Sequence, residues 1–429
     1  MKRIAIIGAG VSGMTVAQLL SERNAIAKDS EQMKAVVFEK MHTPGGLIRC
    51  ERLNGSLFHT CGGHIFNTHD AKVKEWFWHH FNREEEFVKT DRNAVIFLPD
   101  GQRVPYPIEN YVYLLKEPLQ RAFIHDMLQG GNVSAADNFE DFLLQRFGAT
   151  LYQLYFGPFN RKVWQCRLKN VPLAWLEGKL PMPTREEIIY NNLNRTAEKI
   201  SVHSTFYYER QGGSQFIADR LAEGLDIRYD TDVKNIRHIG CQWLVDDEPF
   251  DAVVFCGNIK DLPAMLQGVD MSAYSDSIDA LSYHGTTTVF CVLDENPYTW
   301  IYLPDETYRP HRIICTGNFS PSNNSEQITG SNEHGFTHRI SATIEFTDHV
   351  NKDEIVENLT HIPLHPTYIA HRYNKYTYPI QDKNTRQMIA SLKEQLSEKG
   401  LFLCGRFADW EYYNMDAAMA AAMKTVEHL

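Results

Sequence analysis

The sequence predicts an α/β chain whose two ends build one domain, with a helical domain and an antiparallel β-sheet domain set between them. Three observations carry this. At the start, the apolar run Ile4-Ala5-Ile6-Ile7 leads at once into glycines at 8, 10 and 13 and then a helical pattern. Near the end, Leu401-Phe402-Leu403-Cys404 leads into Gly405 and a helical pattern from Met415. Between them, residues 110–200 carry apolar residues at helical spacing, and residues 285–370 carry short strand-like runs.

The first element is a strand buried in a parallel sheet. The glycines that follow have separate uses: Gly8 for a tight turn, Gly10 for close approach of a pyrophosphate, and Gly13 for close packing of helix on strand. The helix is expected from Val11 to about Glu22, with Val11, Met14, Leu19 and Leu20 toward the sheet and its free N–H groups toward the phosphates. A second strand, Ala35-Val36-Val37-Phe38, ends in Glu39, an acceptor for ribose hydroxyls. Glu39 lies 26 residues beyond Gly13, so an extended loop is expected over Asn24–Lys34. Gly45 and Gly46 follow six and seven residues past the acid, as in the second loop with which two-dinucleotide flavoproteins wrap the far side of FAD. In Cys61-Gly62-Gly63-His64, the glycines let backbone press on a flat ring, and His64 stands beside it or is a core histidine.

The middle begins with a helix over Asp70–Phe81 and a strand over Ala94–Leu98, closed by the turn Pro99-Asp100-Gly101. Phe139–Phe147 and Leu151–Trp164 read as helices of a substrate domain. From Phe206 to Asp251 the nucleotide fold returns, with a helix over Gln215–Glu223, strands at Ile227–Tyr229 and Gln242–Val245, and then the buried strand Ala252–Cys256. Strands at Thr286–Val292, Trp300–Leu303, Arg312–Thr316 and Arg339–Glu345 suggest a sheet roofing the flavin, and residues 321–336 read as a mobile loop. At the C-terminal end, Gly405, Arg406 and Met415 are expected at the cofactor. The predicted fold is thus a discontinuous Rossmann-like FAD-binding domain (1–69, 205–280 and 371–429), an inserted helical substrate domain (110–204) and an antiparallel sheet domain (70–109 and 281–370).

Composition sets outer bounds. The 429 residues are 43% hydrophobic and 23% charged, which is globular rather than disordered. The net charge of −11 argues against nucleic acid and anionic membrane surfaces as partners, while a locally basic pocket can still take an anionic small molecule. The eight cysteines show no Cys-x-x-Cys spacing, so neither a zinc ribbon nor a thioredoxin motif is written and no metal site is expected; scattered through a long chain of globular composition, they read as buried or semi-buried free thiols and not as a disulfide framework. The charged and apolar N-terminus could be read as a secretory signal, but the glycines favour the strand–turn–helix, and no apolar run is long enough to span a membrane. A cytoplasmic protein is expected.

The assembled motifs resemble the UDP-galactopyranose mutase family. The glycine segments are shared with the wider amine-oxidase-like flavoproteins. The narrower matches are Phe159-Asn160-Arg161-Lys162-Val163-Trp164, Trp175-Leu176 with Lys179-Leu180-Pro181, Trp300-Ile301-Tyr302-Leu303-Pro304, and Arg312 ten residues after Tyr302. Asn318-Phe319-Ser320-Pro321, Tyr378-Pro379-Ile380 and the stretch from Gly405-Arg406-Phe407 to Asp416 complete the set.

The resemblance implies an isomerase whose FAD is active when reduced, with flavin N5 as nucleophile in a covalent flavin–sugar adduct and no net redox change. UDP-galactopyranose and UDP-galactofuranose, or a related nucleotide sugar, would be interconverted, with an external reductant such as NAD(P)H and a role in polysaccharide biosynthesis; a homo-oligomer is left open. Arg312, Lys179 and His64 would be catalytic, and Trp164, Lys179, Tyr302, Arg312, Tyr378, Tyr412 and Asn414 would bind substrate. Lys179 stands where the family has an arginine, and His284 where bacterial members have another. The competing readings are an oxidoreductase of the amine-oxidase or protoporphyrinogen-oxidase type, with a mainly apolar cavity, and a flavin-binding protein without catalysis.

Overall fold

The computed structural model describes residues 1–28, 32–129, 136–173, 183–196, 205–325 and 338–429. Lys179, with the Trp175–Pro181 motifs, lies outside them, as does most of the stretch read as a mobile loop.

Five parallel strands form the nucleotide-fold sheet, in the spatial order Leu401–Leu403, Ala252–Phe255, Lys2–Ile7, Met33–Phe38, Ile227–Arg228. The two ends of the chain therefore meet in one sheet. Its strands are apolar on both faces because both faces are covered. Ile4, Ile6 and Val254 pack with Met14, Leu20, Ala418 and Met419 of the helices Val11–Ile26 and Met415–Val426. Ala5, Val36 and Val253 pack with Trp243, Phe250 and Leu392 on the other side.

The first helix runs a turn further than expected, to Ile26. Asn24, expected in a loop, sits on that helix and clasps the second strand, its Oδ1 accepting from the Met33 N–H at 2.8 Å and its amide donating to the Met33 carbonyl. Strand Thr205–Glu209 pairs with Phe87–Asp91 as a separate ribbon and not with the nucleotide-fold sheet, contrary to the expectation for Phe206. Strands Ile236–Ile239, Gln242–Val245 and Glu248–Phe250 form a meander in a separate four-stranded sheet, which Leu266–Gln267 completes by pairing in parallel with Ile236–Arg237.

The second large sheet has seven strands, in the order Thr367–Pro379, Tyr283–Asp294, Arg339–Thr347, Arg312–Ile314, Trp300–Tyr302, Ala94–Phe97, Arg103–Pro105. It is antiparallel except where Trp300–Tyr302 runs parallel to Ala94–Ile96. The long strand Thr367–Pro379 belongs to it and crosses the boundary expected between 370 and 371. Period-two alternation gives the sheet two faces. Val95, Ile301, Ile313 and Ile344 form one core with Ile355 and Leu359 of the helix Lys352–Leu359. Trp300, Tyr302 and Ile314 face the helical insertion, where Phe139, Phe142, Phe147 and Trp164 lie.

That insertion comprises Glu117–Gln129, Phe139–Leu151, a π-helical turn at Tyr152–Phe156, Gly157–Trp164 and Arg185–Asn194. All eight cysteines are free thiols. Cys241, in a tight turn, is exposed, a correction to the expectation that every thiol is at least partly buried. Among the described residues no helix is long and apolar enough to cross a membrane, and no cluster of side chains could hold a metal ion.

Candidate functional site: glycine loops beside a row of tyrosines and arginines

The two N-terminal glycine loops are stitched together. The Gly45 N–H donates to the Ala9 carbonyl at 2.8 Å, and Glu39 accepts from the Ala9 N–H at 2.8 Å and the Met41 N–H at 3.0 Å. Gly13 is required by close approach: a Cβ there would lie 2.0 Å from the Gly8 carbonyl oxygen. Gly10 starts the first helix with no side-chain cap, and a Cβ on it would meet nothing within 4 Å. The C-terminal helix likewise begins at Asn414, which is exposed and makes no side-chain cap. Free N–H groups, a positive helix end and open space beside Gly10 are what a dinucleotide phosphate needs. The structure brings Gly8, Gly10, Gly13, Glu39, Gly45 and Gly46 together, and the residues present fit such a cofactor.

Gly62 has φ +67°, and His64 folds back over it, Nε2 3.2 Å from where a Gly62 Cβ would be. His64 Nε2 is buried without a hydrogen-bond partner among the described residues, which suits a group facing a bound ligand. Burial, with Arg406 and Arg312 nearby, pushes the His64 pKa down to about 4, so the ring is neutral near pH 7.

The floor of this loop is tied to the seven-stranded sheet by Glu345, which sequence reading missed. Glu345 accepts from the Gly62 N–H at 2.8 Å and, on its other oxygen, from Arg312 Nε. Burial alone would raise its pKa, but Arg312 and His311 outweigh that and hold the carboxyl well below the usual range. Arg312 is thereby aimed, with Nη2 donating to the Tyr378 hydroxyl at 3.1 Å. Register places Tyr302 opposite Arg312, and Arg312 opposite Glu345, so all three share one face. Tyr378 and Tyr412 stack with ring centroids 5.5 Å apart, and Arg406 lies 4.7 Å over the Tyr412 ring. Arg406 Nε donates to the Tyr413 carbonyl at 3.0 Å and Nη1 to the Thr377 carbonyl at 3.2 Å, so it also clamps the loop. Burial pushes the Tyr378 hydroxyl well above its ordinary pKa, which keeps it a proton donor.

The structure thus brings Tyr302, Arg312, Tyr378, Tyr412 and Arg406 into one row beside Gly62 and His64. Trp164 lies in the helical core behind this row, and its carbonyl accepts from His284 Nε2 at 2.6 Å. Met415 is buried at the start of the last helix. Lys162, from the same motif as Trp164, is buried and donates to the carbonyls of Leu303 (2.8 Å), Pro310 (3.1 Å) and Asp305. It braces the turn between two site strands, and burial lowers its pKa to about 8.

The fold is a Rossmann-like α/β architecture with inserted sheet and helical parts, and residues 6–81 match the NAD(P)-binding Rossmann-like domain family. The dTDP-fucopyranose mutase of Escherichia coli is 25% identical over 190 residues, 42% of this chain and 46% of that protein. The chain therefore matches less than half of that relative's length. A solved UDP-galactopyranose mutase in its reduced form superposes with a TM-score of 0.84 at 19% identity, over 100% of this chain and 93% of the other. A candidate protoporphyrinogen oxidase from Exiguobacterium sp. 255-15 gives a TM-score of 0.71 at 14% identity, over 99% and 98%. The chain carries a UDP-galactopyranose-mutase-like fold.

Proposed function

We propose that the protein is a flavin-dependent sugar-nucleotide mutase, an isomerase that interconverts the pyranose and furanose forms of UDP-galactose or of a related nucleotide sugar. The observation that supports this reading best is Arg312, held by Glu345 and Tyr378 in a row with Tyr302 and Tyr412 beside the proposed flavin loop. A mainly apolar cavity, as an amine or porphyrinogen would want, does not need such a row. Three tyrosine hydroxyls and a guanidinium suit a departing diphosphate, whose charge they stabilise without reorganising.

A reduced flavin, when bound, supplies a nucleophile for the anomeric carbon of the sugar. This chain's residues supply the rest. Gly10 and the two uncapped helix starts bind the cofactor phosphates. Glu345 couples the position of Gly62 to that of Arg312, so cofactor and leaving group are held in register. Neutral His64 stands at the ring without adding charge. Lys179 is proposed as a second cationic contact. The proposed cofactor is FAD, with NAD(P)H as an external source of electrons.

The test is conversion of UDP-galactopyranose, and in parallel dTDP-fucopyranose, by protein reduced with dithionite under nitrogen. Furanose product in the reduced sample alone is the expected result. Oxygen uptake with an amine or porphyrinogen, and no sugar conversion in either redox state, would refute the reading.

A further inference from the structure

Building on the mutase reading, we propose that Arg92 is a further substrate-binding residue, the second guanidinium for the diphosphate of the nucleotide sugar. Arg92 lies just before the strand Ala94–Phe97, next to Trp300–Tyr302 in the sheet. Its Nη2 donates to the Tyr302 hydroxyl at 2.5 Å, and Tyr302 is the register partner of Arg312. Two guanidinium groups thus flank one tyrosine on one face of the sheet.

Three features separate Arg92 from a surface arginine. It is half-buried, with its guanidinium 5.0 Å over Trp300 and 5.4 Å over Tyr106. Among the described residues no carboxylate pairs with it, and the Tyr302 hydroxyl is its one hydrogen-bond partner. Its Nε is buried and has no partner at all among them. A guanidinium carries five donors in a planar fork. Keeping a partly desolvated cation with most donors unused costs free energy unless an anion completes it. The aromatic faces offset part of that cost and fix the fork in place, but they leave the donors open.

His284 cannot fill this role. Its Nδ1 is 2.9 Å from Asp348 Oδ2 and its Nε2 is 2.6 Å from the Trp164 carbonyl, so both ring nitrogens already face acceptors and the ring is a brace. The histidine that stands where bacterial members of the family have an arginine is therefore structural, and Arg92 provides a positive charge from the segment just before the strand Ala94–Phe97.

The experiment measures UDP, dTDP and uridine affinity of the flavin-loaded protein by calorimetric titration. Arg92→Ala is expected to weaken UDP binding at least tenfold, leave uridine within twofold, and leave the flavin spectrum unchanged. Arg92→Lys should recover most of the loss. Arg92→Gln, which keeps the stem over Trp300 and removes the charge, should behave like alanine and carries the test should alanine unfold the sheet. Unchanged UDP affinity in Arg92→Gln, with a clear loss in Arg312→Ala, would overturn the role of Arg92 and leave the mutase reading standing. Equal losses for UDP and uridine would assign Arg92 a merely structural role and also overturn it. If the unmodified protein binds neither UDP nor dTDP, both this inference and the mutase reading fall.

Discussion

Arg312, half-buried, pairs with the buried Glu345 at the point where leaving-group charge would develop. Replacing Arg312 by alanine removes a charge-assisted contact and strands Glu345 as a buried, unpaired carboxylate. Turnover of the reduced protein should fall at least about a hundredfold, in line with the loss of one preorganised donor; steady-state assays that show unchanged turnover would remove Arg312 from the site. Glu209 is the opposite case. It is fully buried, neither carboxyl oxygen has a partner among the described residues, and burial raises its pKa from 4.5 to about 8. The folded state therefore keeps a proton that the unfolded state sheds between about pH 4.5 and 8, so this group favours folding at low pH and costs stability as pH rises through that window. Glu209→Gln removes the titration. Its melting temperature relative to the parent should climb by a few degrees from pH 5 to pH 8; a difference that does not move with pH would mean that the carboxyl is not held neutral.

Local elements were legible because their determinants are neighbours in sequence. The run from Ile4 to Gly13 states a strand, a turn and a close-packed helix, and the same logic recurs from Leu401 to Met415. Gly13 is the sharpest instance. With only 2.0 Å between an alanine Cβ at this position and the Gly8 oxygen, the helix Val11–Ile26 must lift from the strand Lys2–Ile7. Gly13→Ala should therefore lose bound flavin, seen as a drop in the visible absorbance of purified protein, and destabilise the chain by about 1–3 kcal/mol as overpacking does. A variant with full flavin content and unchanged melting would show that this turn yields more easily than its geometry implies. Elements set by distant pairing were not legible. Thr367–Pro379 is half-buried along much of its length and lacks a clean alternation, so nothing local marks it as the edge partner of Tyr283–Asp294. Glu345 reaches Arg312 only through cross-strand register, and Arg92 reaches Tyr302 across 210 residues of sequence. Tyr302 and Arg312 stand in segments that carry the family resemblance; Glu345 lies on another strand and Arg92 just before one, and neither carries a local motif.

At the scale of the whole molecule, the acidic surface and the proposed anionic ligands pull in opposite directions. The chain carries 43 Lys and Arg against 54 Asp and Glu. The cations of the site are few and partly buried: Arg312, Arg406 and Arg92 lie along one sheet face and one loop, with tyrosines between them. Binding contacts of this kind act over hydrogen-bond distances, whereas the net charge of −11 acts over a Debye length, about 30 Å at 0.01 M salt and about 8 Å at 0.15 M. A diphosphate approaching from solution therefore meets repulsion first and attraction last. The sign of the salt effect follows: screening should speed association, the reverse of the slowing seen when a ligand is steered by opposite charge. In stopped-flow experiments that follow flavin absorbance on mixing with UDP, the association rate constant should rise by about twofold or more from 0.01 to 0.15 M sodium chloride, while dissociation, governed by the desolvated contacts, changes less. An association rate that falls with salt would mean that the arginines project a positive field beyond the site and outweigh the surrounding acids.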